Sequence, residues 1–527
     1  MAVNVTGLAA VAAFYVVVLL TGILASRKSK KVEKKCTGKK SEVSIIGGRN
    51  INVLIGVFTM TATWVGGGYI MGTAEAVYSP SQGVVWAFGP VAYLLNFVLG
   101  GLFLAKPMRS KCYVTMLDPF QHRYGQMFTT AILIPALISD ILWVATILAA
   151  LAVSIVYTFL GGLYAVAYTD IIQLIFIFVS LWLCIPFIIT SPAVIGASQA
   201  AHFNQSHVHS WVGVVRLEDA GIWTDNFLIL TIGGLAYQSL HQRILAAASS
   251  AKAQITCFAA AGLTFIIGIP SVVIGAVAAS ADWNQTEYGL PPPYERGEAG
   301  IVLPLVLSYI APTWVSVLGI GSIAAAVMSS MDSVLLSSAS MFTQNIYKTT
   351  LRKQASEREL QWVLRVSVLL VGVAGTSLAF NKSSVLALWL LASDLLYCIV
   401  SPQLFCVVHL GFVNCYGATS AYIAALLLRV LSGEPALGIP PVLLYPGWRE
   451  EKGVINQYFP YRTLITLISL VTLVLVSWLA QLAFTQQLVP QSWDILGVFD
   501  KKKETAQEEI PMQISNEDKN SIHSTAL

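Results

Sequence analysis

Hydroxyl side chains and carboxylates interrupt otherwise apolar stretches of this sequence. The densest group runs through 326–333 and contains Ser329, Ser330 and Asp332; a second carboxylate, Asp394, lies in another apolar segment. Ionisable groups are costly inside a membrane and are functional candidates there. Sodium is a hard cation that requires oxygen ligands, which serine hydroxyls and free backbone carbonyls supply. The alternative is structural, because hydroxyls in membrane helices also bond to their own backbone or hold helices together.

Three consecutive glycines, at 66–68, lie in the middle of the apolar segment 51–79. Glycine lowers helix stability, and a broken backbone within lipid is tolerated only where it is buried or lines a cavity. The triplet therefore predicts a broken helix whose free carbonyls form a site. Close packing of two helices is the alternative explanation for such a run.

Four aromatic side chains lie within apolar segments rather than near their predicted ends: Trp64, Tyr93, Trp143 and Tyr237. Tryptophan and tyrosine normally concentrate at membrane interfaces. Taken singly, each of these rings is explained by packing. Gathered around one cavity, they would hold a quaternary ammonium by cation–π attraction, which suits a ligand whose charged group has no hydrogen-bond donor.

The composition indicates what must position these residues. The chain has 527 residues, of which 56% are hydrophobic and 11% charged, and its mean hydropathy is +0.70. Soluble domains carry roughly 25% charged residues, so the sequence excludes a nucleic-acid binder, a secreted disulfide scaffold and a disordered chain. Unbroken apolar runs of about 20 residues predict an all-α polytopic membrane protein rather than a barrel. The predicted apolar segments are 7–26, 51–79, 82–106, 128–168, 171–190, 225–247, 254–280, 301–347, 361–380, 383–411, 416–432 and 463–485.

Charge predicts the orientation of these segments. A basic linker at 27–49 follows the first segment, which predicts that the linker is cytoplasmic and the N-terminus extracellular. The other basic loops are 106–123, 243–252 and 348–358, and the glycosylation sequons begin at Asn4, Asn204, Asn284 and Asn381. Basic loops and sequons agree only if 128–168 crosses the membrane an even number of times. Two crossings need about 40 residues plus a turn, so this segment is too short for two spans and too long for one.

Other chemistries are not indicated. None of the seven cysteines has CxxC spacing, so we expect no disulfide and no metal site. His202, His207 and His209 share one polar loop, without metal-ligand spacing on a helix, and we expect no enzymatic activity. The polar C-terminal tail, 486–527, is predicted to be cytoplasmic and disordered.

Several long motifs resemble the sodium/solute symporter family, and most closely its choline-transporting members. They are the stretches 58–70, 72–78, 101–110, 113–120 and 282–290. The resemblance extends to about residue 485. It implies a bundle of about 12 to 13 transmembrane helices around two inverted repeats of five helices each. It divides the chain into an N-terminal helix and linker (1–50), a transport core (51–411), two C-terminal helices (412–485) and the tail.

The same resemblance implies an activity and a site. The activity is sodium-coupled choline uptake across the plasma membrane, with chloride dependence, for acetylcholine synthesis. The implied sodium ligands are backbone carbonyls of Ala62, Val65 and Ala326 and the hydroxyls of Ser329 and Ser330. The implied choline cage is Trp64, Tyr93, Trp143 and Tyr237. As intramembrane carboxylates, Asp332 and Asp394 are expected to support these ligands from behind or to take part in coupling. Asn204 and Asn284 would be glycosylated, and the expected partners are membrane lipid and trafficking proteins on the tail, not nucleic acid. Presynaptic terminals and synaptic vesicles are the implied location.

Two departures from the family pattern stand out. Tyr237 occupies a position where the choline-transporting members have tryptophan, so the substrate could be another small organic cation or solute. The family also has a longer segment after Leu151, which indicates an internal deletion there and leaves a non-transporting splice form as an alternative. An ion channel is a third reading of the same segments.

Overall fold

The computed structural model describes residues 12, 14–25, 40–145, 151–194, 210–379, 384–451 and 454–499. Helices dominate these residues. In chain order they are α1 (Phe14–Ala25), α2 (Lys40–Ile46), α3 (Val53–Trp64), α4 (Gly67–Tyr78), α5 (Gly89–Leu99), α6 (Ala105–Ser110), α7 (Asp118–Tyr124), α8 (Gln126–Ala145), α9 (Leu151–Ile189), α10 (Ala220–Ile232), α11 (Gln238–Ala246), α12 (Ser250–Ser280), α13 (Val302–Tyr309), α14 (Thr313–Met341), α15 (Glu357–Ala379), α16 (Val385–Leu395), α17 (Ser401–His409), α18 (Cys415–Leu431) and α19 (Tyr461–Thr485). The strands β1 (Arg449–Glu451) and β2 (Val454–Asn456) form an antiparallel hairpin between α18 and α19.

The predicted membrane architecture is confirmed. Within the described ranges, eight helices are long and apolar enough to cross a membrane, or nine if the bent pair α3 and α4 is counted as one span. Three shorter apolar helices, Phe14–Ala25, Ala299–Tyr309 and Cys415–Leu431, accompany them. Helix α14 has few exposed side chains and packs along α9, so the serine-rich segment lies at the centre of the bundle.

The predicted break in the first core helix is present. Asn52 caps α3 by accepting a hydrogen bond from the Leu54 amide at 3.2 Å, and α3 ends where Val65 adopts ψ 65°. Helix α4 then departs at 52° to α3. Gly66 is required here, since a Cβ at this position would lie 2.0 Å from Ser330 Oγ.

A second helix is interrupted in the same region. A short 3-10 turn at Gly233–Ala236 separates α10 from α11, and Tyr237 then adopts an extended conformation with ψ 130°. Trp64, at the end of α3, and Tyr237 bring their rings to 6.4 Å centroid to centroid. The two broken helices therefore meet, as an inverted-repeat transporter requires.

Two contacts flank the segment whose length the sequence left unexplained. Trp143 of α8 packs against Trp64 at the helix break. Further along, Gly162 kinks α9 with φ 54° and approaches the backbone of Ser44, where a Cβ would lie 2.6 Å from the Ser44 carbonyl oxygen. Trp143 therefore lies beside the end of α3, whereas Gly162 lies beside α2, which precedes α3. Residues 146–150, next to the predicted deletion, lie outside the described residues.

The two ends of the chain are only partly described. Much of the basic linker (26–39) and residues 500–527 lie outside the described residues. The segment after α19 is ordered through Phe499, whose ring stacks on Phe484 at 4.8 Å, and Asp494 accepts a hydrogen bond from Tyr416 Oη at 2.8 Å. Residues 486–499 therefore pack against α18 and α19, while the mostly disordered character of the tail stays a prediction.

Candidate functional site

Oxygen atoms from two helices converge at the break between α3 and α4. Ser329 Oγ donates to the Ala62 carbonyl at 2.8 Å and to the Ala326 carbonyl at 3.0 Å. Ser330 Oγ donates to the Thr63 carbonyl at 2.8 Å. All five of these residues are fully buried, with 0% exposure. We call this group, with Val65 at the break itself, the helix-break site.

The geometry of the helix-break site suits a small hard cation. Carbonyl oxygens at a helix end and serine hydroxyls are neutral ligands of the kind that sodium accepts. Ser329 and Ser330 now direct their protons at carbonyls, and rotation of each hydroxyl would turn a lone pair toward a bound ion. The structure thus brings together the predicted ligands Ala62, Ala326, Ser329 and Ser330. Val65, the fifth predicted ligand, is the residue at which the backbone leaves the helical conformation.

A network of charged side chains, which the sequence analysis did not identify, adjoins this site. Ser333 Oγ lies 3.0 Å from Thr63 Oγ1 and accepts a hydrogen bond from Arg243 Nη2 at 2.5 Å. Arg243 also lies 3.9 Å from Asp170, whose carboxylate accepts from Thr59. The expectation that Arg243 belongs to a basic cytoplasmic loop is wrong, because it is buried on α11.

The signal for this network was available in the sequence. Arg243 lies inside the apolar segment 225–247, and intramembrane charge is a functional indication by default. Asp170 lies between the predicted apolar segments 128–168 and 171–190, so it was not counted as an intramembrane residue. Asp332, which was predicted, is fully buried beside the network and accepts a hydrogen bond from Ser333 Oγ at 3.4 Å.

The four predicted aromatic residues form one buried cluster. The Trp64 ring lies 6.3 Å from Tyr93 and 5.9 Å from Trp143, and Trp143 lies 4.5 Å from Tyr237. Each side chain is at most 3% exposed. These rings come from α3, α5, α8 and the second helix break, so elements distant in sequence are needed to assemble them. We call this set the aromatic cluster.

Other groups hold the aromatic cluster in place. Trp389 of α16, which was not predicted, donates its indole proton to Tyr93 Oη at 2.6 Å. Tyr69 stacks on Tyr93 at 5.4 Å. The Tyr237 hydroxyl lies 3.3 Å from Ser393 Oγ. The four rings meet edge to face or tilted, with interplanar angles of 58° to 89°, and the face of such a ring can bind an organic cation by cation–π attraction.

Asp394 lies in a different environment from the one its prediction suggests. Its Oδ2 accepts from Arg429 Nη2 at 2.6 Å and from Arg462 Nε at 3.0 Å. Arg429 also lies 2.5 Å from Glu434. We call these four side chains the ion cluster. It joins α16 to the two C-terminal helices, and the residue before Asp394, Ser393, contacts Tyr237 of the aromatic cluster.

An outer cavity of about 800 Å³ borders the ion cluster, and Glu434 and Arg462 line it. Its wall also includes Arg216, which pairs with Glu218 at 3.6 Å. A hydrogen bond from Arg449 holds the pKa of the Glu218 carboxyl below its usual value. The sequon residue Asn284 is exposed, whereas Asn204 lies outside the described residues.

Comparison with known proteins gives a consistent result. A model of the sodium:solute symporter family matches residues 125–425. The mouse (Mus musculus) high affinity choline transporter 1 is 44% identical over 516 residues, covering 94% of this chain and 88% of that protein. The Drosophila melanogaster high-affinity choline transporter 1 is 42% identical over 521 residues, covering 93% and 81%.

Among solved structures, a Na⁺-coupled sialic acid symporter in a substrate-bound outward-open state superimposes with a TM-score of 0.68 at 18% identity. The superposition covers 90% of this chain and 98% of that one. At this identity the likeness shows a shared fold.

Proposed function

This chain belongs to the sodium:solute symporter family, and from that membership we propose that it carries choline into the cell together with sodium. The observation that carries this proposal is the adjacency of two groups at one helix break. Trp64, in the aromatic cluster, is separated by one residue from Ala62, whose carbonyl accepts from Ser329. A sodium ion and an organic cation would therefore bind on either side of the same short segment.

The proposed roles follow from the chemistry of each group. Sodium binds first at the helix-break site, through carbonyls of Ala62, Val65 and Ala326 and hydroxyls of Ser329 and Ser330, and fixes α3 against α14. Choline then binds against the rings of Trp64, Tyr93, Trp143 and Tyr237. Rearrangement of the two broken helices releases both inward, and a negative cell interior favours cation entry by about 2.3 kcal/mol per charge per 100 mV.

The setting of this activity is part of the same proposal. We place the protein in the plasma membrane, with the N-terminus outside, the C-terminus inside and glycans at Asn204 and Asn284. Chloride dependence, supply of choline for acetylcholine synthesis, a presynaptic location and trafficking partners on the tail follow from the resemblance to choline-transporting relatives.

The experiment is uptake of labelled choline by cells expressing the chain, in sodium and in lithium buffer. We expect uptake in sodium only, and loss of at least about tenfold in Trp64→Ala, since aromatic anchors in buried sites dominate binding. Trp362→Ala is the matched control, because Trp362 is 58% exposed on α15. Sodium-independent uptake, or full uptake by Trp64→Ala at wild-type surface levels, would contradict the proposal.

Tyr237 supports a second candidate, a symporter for another small organic cation. Its hydroxyl, held near Ser393, adds a polar group to the aromatic cluster. Competition of labelled choline by a panel of organic cations, amino acids and sugars distinguishes the two candidates. A compound that competes better than choline would identify the alternative substrate.

The proposed deletion near residue 151 supports a third candidate, a non-transporting form. The 516 aligned positions exceed 94% of this chain's 527 residues, so the alignment with the mouse relative contains gaps in this chain. Surface expression without any flux would support this candidate, and sequencing of the transcript across residue 151 would test the deletion itself.

A further inference from the structure

Asp140 of α8 is a buried carboxylate whose described hydrogen-bond partner is a hydroxyl. It is 2% exposed, and Ser338 Oγ donates to its Oδ2 at 2.5 Å. No arginine, lysine or histidine of the described residues forms an ion pair with it, whereas Asp170 and Asp394 each have an arginine within 4 Å. A carboxylate buried without a cation is costly, and such groups in membrane segments mark binding or transport sites.

The position of Asp140 connects it to the aromatic cluster. It precedes Trp143 by one helical turn, so the two side chains project from the same face of α8. The Trp143 ring is the closest neighbour of the Tyr237 ring among the four, at 4.5 Å. The carboxylate therefore lies on the helix face that carries Trp143 into the cluster.

We propose that Asp140 is the counter-charge of the transported quaternary ammonium, held toward the aromatic cluster by Ser338. This inference rests on the proposed function and names a specificity-determining residue within it. A quaternary ammonium has no hydrogen-bond donor, so a carboxylate attracts it through charge alone. That attraction is strong in a buried site, where the effective dielectric constant is low.

The distance along α14 separates Asp140 from the proposed sodium ligands of the helix-break site. Ser338 follows Ser329 by nine positions, which is about 13 Å at 1.5 Å per residue. The hydroxyl that holds Asp140 is therefore more than two turns from the helix-break site. The charge of Asp140 is available to the organic cation, while the neutral ligands of α3 and α14 serve sodium.

The test compares choline with its neutral isostere 3,3-dimethyl-1-butanol, in which a tert-butyl group replaces the trimethylammonium group. Both compete with labelled choline for uptake by cells expressing the full chain, and the measured quantity is the ratio of their half-inhibitory concentrations. Asp140→Asn should reduce the preference for choline by about tenfold or more, which is at least about 1.4 kcal/mol of lost discrimination. Asp140→Glu keeps the charge and should preserve the preference.

Two further variants distinguish charge from structure. Ser338→Ala should weaken choline binding but keep the preference for the charged ligand, because the carboxylate remains. Ser340→Ala, whose hydroxyl bonds to its own helix at Leu336, is the matched control and should resemble wild type. If Asp140→Asn and Ser338→Ala weaken choline equally and neither changes the ratio, Asp140 is structural and the inference is overturned.

The inference and the proposed function fail in different ways. Absence of sodium-dependent choline uptake by the wild-type chain would contradict the proposed function. Sodium-dependent choline uptake in which Asp140→Asn keeps the wild-type preference for choline over the neutral isostere contradicts the inference alone.

Discussion

In the ion cluster, two carboxylates and two guanidinium groups neutralise one another within the protein. Asp394 and Glu434 face Arg429 and Arg462, with contacts from 2.5 to 3.6 Å. In the helix-break site, by contrast, the contacting groups are neutral carbonyls and hydroxyls, and no protein cation belongs to the set. Both regions are buried and polar. The helix-break site, unlike the ion cluster, presents oxygen atoms that could coordinate a bound cation.

This difference separates two uses of buried polarity. Charges that are matched inside the protein tie helices together and have little to offer a ligand. Among the described residues, oxygen atoms that face no protein cation, such as those of the Asp140 carboxylate beside Ser338, would gain most from a bound cation. The ion cluster therefore ties α16 to the C-terminal helices, and the helix-break site is the region that we propose for binding sodium.

Removing one charge from the ion cluster should have the largest effect. Arg429→Ala leaves Asp394 and Glu434 with Arg462 alone, and breaking a buried pair costs about 3–5 kcal/mol. We expect most of the protein to be lost from the cell surface and its thermal midpoint in detergent to fall. Arg358→Ala is the control, because Arg358 is exposed. Wild-type surface amounts and midpoint for Arg429→Ala would refute a structural tie.

Filling the helix break should abolish function with less harm to folding. The Cβ of Gly66→Ala would meet Ser330 Oγ at 2.0 Å and Ser330 Cβ at 2.7 Å. We expect sodium-dependent uptake per surface molecule to fall by about tenfold or more. Gly262→Ala is the matched control, since its Cβ would have no neighbour within 4 Å. More than half of wild-type uptake by Gly66→Ala would show that the break tolerates a side chain.

Removing one hydroxyl from the helix-break site should change sodium dependence selectively. Ser329→Ala deletes one proposed ligand, and about 1 kcal/mol corresponds to about a fivefold higher sodium concentration for half-maximal uptake. Ser340→Ala removes a hydroxyl from the same helix that bonds to Leu336 at 2.6 Å, and its sodium curve should match wild type. Equal curves for both variants would count against the site.

The sequence could predict the helix-break site because each half of it is local. The three adjacent glycines lie in one apolar segment and the run of serines lies in another, so each can be recognised from a single stretch of sequence. The ion cluster could not be predicted, since Asp394, Arg429 and Arg462 come from three helices and only the packing of α16, α18 and α19 brings them together. The pairing of Asp140 with Ser338 is hidden for the same reason. The four aromatic residues could be selected by their positions within apolar segments, but each ring alone is explained by packing, and the resemblance to a family was needed to group them.

The smallest expected effect lies at the contact between the ion cluster and the aromatic cluster, which adjoins the helix-break site. Ser393 lies 3.3 Å from the Tyr237 hydroxyl in the aromatic cluster, and the next residue, Asp394, binds the arginines of the ion cluster. Tyr237→Phe removes that hydroxyl contact but keeps the ring face. Cation–π attraction depends on the face, so the choline concentration for half-maximal uptake should change by less than about threefold.

Tyr237→Ala is the control for this variant, because it removes the face as well. It should weaken choline by about tenfold or more, comparable to the loss of other buried aromatic anchors. A large effect of Tyr237→Phe, equal to that of Tyr237→Ala, would mean that the hydroxyl link to Ser393 matters more than the ring. In that case the ion cluster would influence choline binding through α16. The ion cluster could then no longer be regarded as purely structural.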